Sequence, residues 1–182
     1  MGDDSVPYVS WIKSARTGYT KCLCIAIANA IAVTQRSMLI VQPTDEDAKG
    51  FSKDEIAPMI RDVKCLQGLV SESKKSDSSN TILKKHFIGG TMTIVGAHSP
   101  RGFRRLTKDI VLFDEVDGYK VTSGNEGDPI KLGEKRLMSA PFPKYIYGST
   151  PTLKQTSKIE RKYEESDKRR YYVPCPHCGE YQ

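Results

Sequence analysis

The sequence predicts an α/β fold of three layers around a central, mainly parallel sheet, and three observations carry that expectation. Short apolar and β-branched runs alternate with helical stretches, the pattern of parallel strands joined by crossover helices. A glycine-containing turn, KSARTGYTK (13–21), connects the first such run to an apolar helix. Far downstream a fully apolar run, IVLF (110–113), stops at the acidic pair Asp114-Glu115.

Taken in order, Val6 to Ile12 reads as a short strand leading into that turn. From Cys22 to Val33 nearly every residue is apolar or small, which predicts a helix buried on most sides. Ser37 to Gln42 is a second strand, ended by Pro43. Thr44 is placed to cap a helix whose acidic first turn, Asp45-Glu46-Asp47, suits the positive end of the helix dipole. Residues 71–80 (SESKKSDSSN) read as a polar, serine-rich loop. His86 to Ile88, Gly89-Gly90 and Thr91 to Val95 read as a hairpin with a glycine turn. Ile110 to Phe113 is a core strand and Pro129 to Met138 a helix. Lys144 to Tyr147 is a last core strand, running into Gly148-Ser149-Thr150-Pro151-Thr152. Ser157 to Arg170 mixes acids and bases at helical spacing, which predicts an exposed, salt-bridged helix. Tyr171 to Gln182 carries a C-x-x-C pair, and no internal repeat is visible.

Composition narrows the field. A chain of 182 residues is long enough for one domain with a core of its own. Apolar residues make up 38% and charged ones 27%, the balance of an ordinary globular protein. No stretch approaches the roughly 18–20 uninterrupted apolar residues of a membrane span. The acidic start, Met1-Gly2-Asp3-Asp4, lacks the basic and apolar regions of a secretory leader. Five cysteines, two of them in C-x-x-C, suit a reducing compartment better than a disulfide framework. A net charge of +6 permits nucleic-acid binding and equally fits a solvated basic surface.

A phosphate-binding loop of the G-x-x-x-x-G-K-[ST] type holds phosphates with backbone N–H groups and a helix N-terminus, while a lysine adds charge and a hydroxyl ligates magnesium. Residues 13–20 follow that grammar with a swap. Gly18 and Thr20 fall where the second glycine and the magnesium-binding hydroxyl belong, but Tyr19 stands in the lysine's place and Lys13 in that of the first glycine. Because such a loop wraps the phosphates, Lys13 can reach them from the opposite side; Lys21, one residue into the helix, is its rival. Alone, the stretch reads equally as a strand–helix turn with surface lysines. A site of this kind also needs a second apolar strand ending in acids, one for the magnesium shell and one to polarise the attacking water. Asp114 and Glu115 supply them, although by themselves they also read as a helix cap. The two motifs together predict a three-layer P-loop NTPase of the RecA/ASCE-like kind.

With these motifs in place, the chain resembles lambda-type phage terminase large subunits. KSARTGYTK (13–21) resembles their displaced-lysine phosphate loop, IVLFDEVDGY (110–119) their acidic strand motif and YGSTPT (147–152) their coupling motif. VQPTDEDAKGF (41–51), GAHSPRGFRRL (96–106) and VPCPHCGEYQ (173–182) are similar too, so the resemblance covers nearly the whole chain. It implies a P-loop ATPase core over residues 1–155. The charged helix and the start of a truncated, zinc-ribbon-like C-x-x-C segment would follow over 156–182. ATP phosphates would meet the loop Lys13, Ser14, Ala15, Arg16, Thr17, Gly18, Tyr19, Thr20 and Lys21, with Lys13 and Arg16 assisting catalysis. Thr20 and Asp114 would hold Mg²⁺, Glu115 would be the catalytic carboxylate, and Ser149 and Thr150 would couple nucleotide state to DNA movement. The implied partners are double-stranded DNA, a small terminase subunit, a portal ring and further copies of the chain, in the host cytoplasm and away from membranes.

The departures from that family matter as well. Its members carry a segment before the loop that contacts the small subunit and helps hold adenine, and a C-terminal nuclease. Here only 12 residues precede Lys13 and no acidic triad follows residue 152, so a fragment without cutting activity is expected. Cys175 and Cys178 form half of a zinc site; tetrahedral zinc wants four ligands, so tightly held zinc is not expected. Arg101, Arg104, Arg105 and Lys108 crowd the approach to the acidic strand, as an arginine finger, a DNA contact or a solvated basic loop. Two other functional classes remain: a helicase-like nucleic-acid translocase, and an inactive remnant that only binds partners.

Overall fold

The computed structural model describes residues 3, 5–71, 81–153 and 156–181. Six strands form one sheet: β1 (Tyr8–Ile12), β2 (Met38–Gln42), β3 (Lys84–Phe87), β4 (Gly90–Gly96), β5 (Ile110–Asp114) and β6 (Lys144–Ser149). Their order is β1-β6-β5-β2-β4-β3, parallel except for the β3–β4 hairpin at one edge. β6 lies between the strands that end at Ile12 and Asp114. The hairpin turns at Ile88-Gly89, with Gly89 at φ 83°. Of the serine-rich stretch 71–80, all but Ser71 lies outside the described residues.

Helices cover both faces. α1 (Tyr19–Ala32), α2 (Asp45–Phe51), a π-helical stretch (Ser52–Ile56) and α3 (Ala57–Asp62) are followed by α4 (Pro100–Phe103), α5 (Pro129–Glu134) and α6 (Lys158–Glu164). All five residues of β2 are buried, and they alternate between two separate clusters: Met38 and Ile40 face Leu23, Ile27 and Ile31 of α1, whereas Leu39 and Val41 face Phe103, Phe113, Tyr147 and Ile159. That alternation makes the three layers: a strand with apolar residues on both sides needs cover on both. Each fully buried Leu or Ile contributes about 1.5–3 kcal/mol through removal from water.

Two expectations about helix ends change, and one helical feature is new. α1 starts at Tyr19, directly after the glycine and earlier than Cys22, and leaves one stripe open at Lys21, Ile25 and Asn29. An outer-layer helix has one packed face, and a run of apolar and small residues does not say which face it is. The continuation of α2 through the π-helical stretch into α3 was not read from sequence; Pro58, which has no N–H to donate, follows closely on the π-helical stretch within this continuous helical run. The charged helix expected to reach Arg170 stops at Glu164. There the Ser166 hydroxyl donates to the Tyr163 carbonyl at 2.6 Å and accepts the Lys168 N–H at 3.1 Å, replacing the helical ladder. Among the described residues, no helix is long and apolar enough to cross a membrane.

Candidate active site

Register brings the motif ends together. Ile12 pairs with Ser149 and Asp114 with Gly148, so the tips of β1, β6 and β5 stand side by side. The Lys13 N–H donates to the Ser149 carbonyl at 3.1 Å, carrying the β1–β6 ladder one residue past the strand. The Lys13 side chain, only 10% exposed, forms an ion pair with Glu115. Its ammonium stands 5.2 Å from the centre of the Tyr19 ring.

After Lys13 the backbone turns outward. Residues 14–18 are all exposed, Arg16 and Gly18 take left-handed conformations at φ 62° and 81°, and the Thr17 hydroxyl donates to the Ser14 carbonyl at 3.1 Å. Gly18 is the residue before α1, and the left-handed angle is one that a Cβ would disfavour. α1 has no side-chain cap and no acid in its first turn, where Thr20 sits half-buried. An uncapped helix start leaves backbone N–H groups and the positive end of the dipole facing the loop, a setting that suits polyphosphate.

Tyr19, in the position where such loops carry lysine, turns inward. It is 2% exposed and meets Trp11 edge-on with ring centres 5.4 Å apart. Its ring lies so close under β6 that a Cβ on Gly148 would overlap the phenol. Burial, with Asp114 and Glu115 nearby, pushes the phenol well above its usual ionisation range, and its hydroxyl has no hydrogen-bond partner among the described residues. Lys21 is 73% exposed on the flank of α1, paired with Glu55 at 2.6 Å.

The two acids at the end of β5 differ sharply. Asp114 is buried; burial raises its carboxyl, Glu115 adds to this, and the Gln42 amide and Lys13 oppose it. Gln42 donates to Asp114 Oδ2 at 3.1 Å. Glu115 adopts φ 51° and ψ 51°, a left-handed conformation that costs a non-glycine residue about 1 kcal/mol or more and persists only where its surroundings hold it. Here Lys13 holds Oε1, while Ser149 Oγ at 3.3 Å and the Thr150 N–H at 3.4 Å donate to Oε2.

The structure thus gathers Lys13, Tyr19, Asp114, Glu115, Ser149 and Thr150 at one end of the sheet, and leaves Lys21 on an outer flank. Gln42 and Asp117 escaped the sequence reading. A polar residue closing the apolar run MLIVQ signals the first, and a third acid following Asp114-Glu115 signals the second. The basic approach segment is not uniformly solvated: Arg104 pairs with Glu126, and Lys108 is 2% exposed and donates to the Thr91 carbonyl at 3.0 Å. Cys175 and Cys178 sit in a separate tight turn, closed by the Cys175 N–H on the Glu180 carbonyl at 2.7 Å and the Gly179 N–H on the Cys175 carbonyl at 2.9 Å. Backbone N–H groups of Cys178 and His177 lower the Cys175 thiol. Among the described residues, no three metal-binding side chains cluster.

Comparison with known proteins identifies the family. Residues 1–182 match the family described as phage terminase large subunit gpA, ATPase domain. The large terminase subunits of Enterobacteria phage P21 and Escherichia phage lambda are each 39% identical over 184 aligned positions, covering 100% of this chain and 29% of theirs. The chain therefore spans less than a third of the length of these relatives. Among solved structures, the large terminase ATPase domain of Thermus phage P74-26 superposes with a TM-score of 0.55 at 14% identity, over 82% of this chain and 61% of that one. A variant of the same domain gives 0.56. At that identity the likeness speaks for the fold.

Proposed function

Because the chain belongs to the family of phage terminase large subunit ATPase domains, we propose that it hydrolyses ATP to drive double-stranded DNA into a phage procapsid. The observation that carries this reading is the Lys13–Glu115 ion pair at the tips of β1 and β5, beside the uncapped start of α1 and bonded through Glu115 to the tip of β6. Small terminase subunit, portal ring and further copies of the chain are the proposed partners, in the host cytoplasm.

The roles follow from the surroundings of each group. The loop 14–18 and the first N–H groups of α1 cradle the ATP phosphates, and Arg16, exposed on that loop, reaches the γ-phosphate. Thr20 and Asp114 would hold Mg²⁺, which when bound neutralises phosphate charge. Asp114 is buried and raised in the chain as described, and a cation beside it favours its ionised form. Lys13 leaves Glu115 for the phosphate oxygens, where a positioned cation stabilises transition-state charge. Glu115, released, orients the water that attacks the γ-phosphorus; the bond to the β–γ bridging oxygen breaks, yielding ADP and inorganic phosphate. Ser149 and Thr150 feel the change directly, since they are bonded to the same carboxylate.

Two measurements test the reading. Titration of the chain with ATP and Mg²⁺ should show saturable binding, and its absence would overturn the proposal. In the presence of the small terminase subunit, double-stranded DNA should raise ATP turnover. Equal stimulation by single-stranded nucleic acid without that subunit would instead favour a helicase-like translocase.

A further inference from the structure

The turn after the acidic pair holds a third acid whose partners differ from those of Asp114 and Glu115. Asp117 Oδ2 accepts the Thr152 N–H at 3.0 Å and the Thr152 hydroxyl at 3.2 Å. Its Oδ1 accepts the N–H groups of Lys158 at 2.8 Å and Ile159 at 2.9 Å. A carboxylate has about four lone-pair sites, and here one downstream segment fills them. Such charge-assisted bonds are about twice as strong as neutral ones. The Asp117 N–H meanwhile donates to Ser149 Oγ at 3.2 Å, the hydroxyl that also lies 3.3 Å from Glu115 Oε2.

Residues 150–153 and 156–159 are therefore fastened to one turn, by Glu115 at Thr150 and by Asp117 at Thr152, Lys158 and Ile159. Ser157 satisfies the Glu160 N–H of α6, and Asp117 takes the two N–H groups before it. What Asp117 adds is a link between the helix and the turn that carries the catalytic carboxylate. The helix end it holds is anchored in turn, with Ile159 fully buried among Phe113 and Tyr147. The ammonium of Lys158 reinforces the same link by donating to the Tyr119 carbonyl.

We infer that Asp117 is a positioning residue that passes a change in the partners of Glu115 to Thr150–Thr152 and to α6. The inference rests on the hydrolytic reading above. When nucleotide draws Lys13 away from Glu115, the left-handed turn loses one of its restraints. Asp117 then converts the resulting shift of that turn into a displacement of α6, the element that leads onward from the coupling strand.

Asp117→Asn tests this at nearly constant volume. Its amide presents donors to donors, so one of these attachments must let go. Nucleotide affinity should stay at the parent level while kcat falls on the order of ten- to a hundredfold, the usual cost of misplacing a reacting group. Hydrogen exchange with and without ATP and Mg²⁺ is the decisive readout: residues 150–164 should respond to nucleotide in the parent and not in D117N. Ser157→Ala, which removes the cap of α6 and one hydroxyl bond to Asp117 but spares the Asp117 bonds to Thr152, Lys158 and Ile159, should loosen α6 yet leave the nucleotide response at residues 150–152 in place. A parent that binds no nucleotide sinks the hydrolytic reading and this inference with it. A responding parent with a D117N variant that responds identically sinks this inference alone, as does an S157A variant that loses the response in the same way.

Discussion

Lys13 and Lys21 flank one loop and carry the same charge, but their surroundings separate them. The first lies 10% exposed between Glu115 and the Tyr19 ring; the second is 73% exposed and faces Glu55. Lys13→Ala is expected to lower ATP turnover about a hundredfold or more, the loss typical of removing one transition-state charge stabiliser. Lys21→Ala should leave turnover near the parent rate. Glu115→Gln should keep ATP bound while stopping turnover, because Asp114 and Lys13 remain. Steady-state rates and nucleotide affinities of the three variants decide, and a Lys13→Ala chain with near-normal turnover would hand the role to Lys21. Gly148 is the complementary case. With Tyr19 packed against its Cα, Gly148→Ala overfills the contact and should cost about 1–3 kcal/mol, read as a lower melting temperature.

Elements add effects that no single side chain reveals. The start of α2 is a capping box, in which Thr44 Oγ1 accepts the Asp47 N–H at 3.1 Å and Asp47 accepts the Thr44 N–H at 3.2 Å. Thr44→Ala should cost about 1 kcal/mol in urea unfolding. At the opposite end of the sheet, burial lowers the Lys108 amine from 10.5 to about 8, with Lys84 adding to the effect. Between those values the unfolded chain binds more protons than the folded one. The penalty is thus fully present below pH 8 and disappears as pH rises from 8 towards 10.5. Lys108 should therefore add up to about 3 kcal/mol of stability over that range. Cys24, raised by burial to about 11, opposes the trend, so the parent must be compared with Lys108→Met. The variant should lack the alkaline gain; identical pH dependence in both would refute the assignment.

Across the whole molecule the sheet is most protected at its centre. β2 and β5 are flanked on both sides by other strands and on both faces by helices, and every residue of each is buried. Their amides should exchange last with solvent. The segment after α6, with Tyr171 91% and Tyr181 73% exposed, should exchange first. A uniform exchange rate across both regions would contradict a core organised around β2 and β5. The same layout explains why the site lies at a sheet end. Parallel strands deliver Lys13, Asp114, Glu115 and Ser149 to a common edge, while α1 presents its N-terminus there.

Much of this was legible in the sequence alone. Apolar runs of strand length separated by helical ones impose a covered parallel sheet, because each run must be buried on both faces. Gly18 before an apolar helix and two acids after IVLF announce a loop and a strand end of defined chemistry. Thr44 and its acidic turn announce α2. Local pattern could not decide the order of the strands, which puts β6 between β1 and β5 and so makes Ser149 and Thr150 partners of Glu115. Nor could it decide that Tyr19 turns inward under Gly148, that Gln42 holds Asp114, that Lys108 is buried, or that Asp117 fastens α6 to the turn after Asp114-Glu115. The physical reason is range. Periodicity, caps and turn residues act between neighbours in the chain and are written there. These contacts join residues far apart in sequence, through packing and hydrogen bonds that exist only once the sheet has assembled.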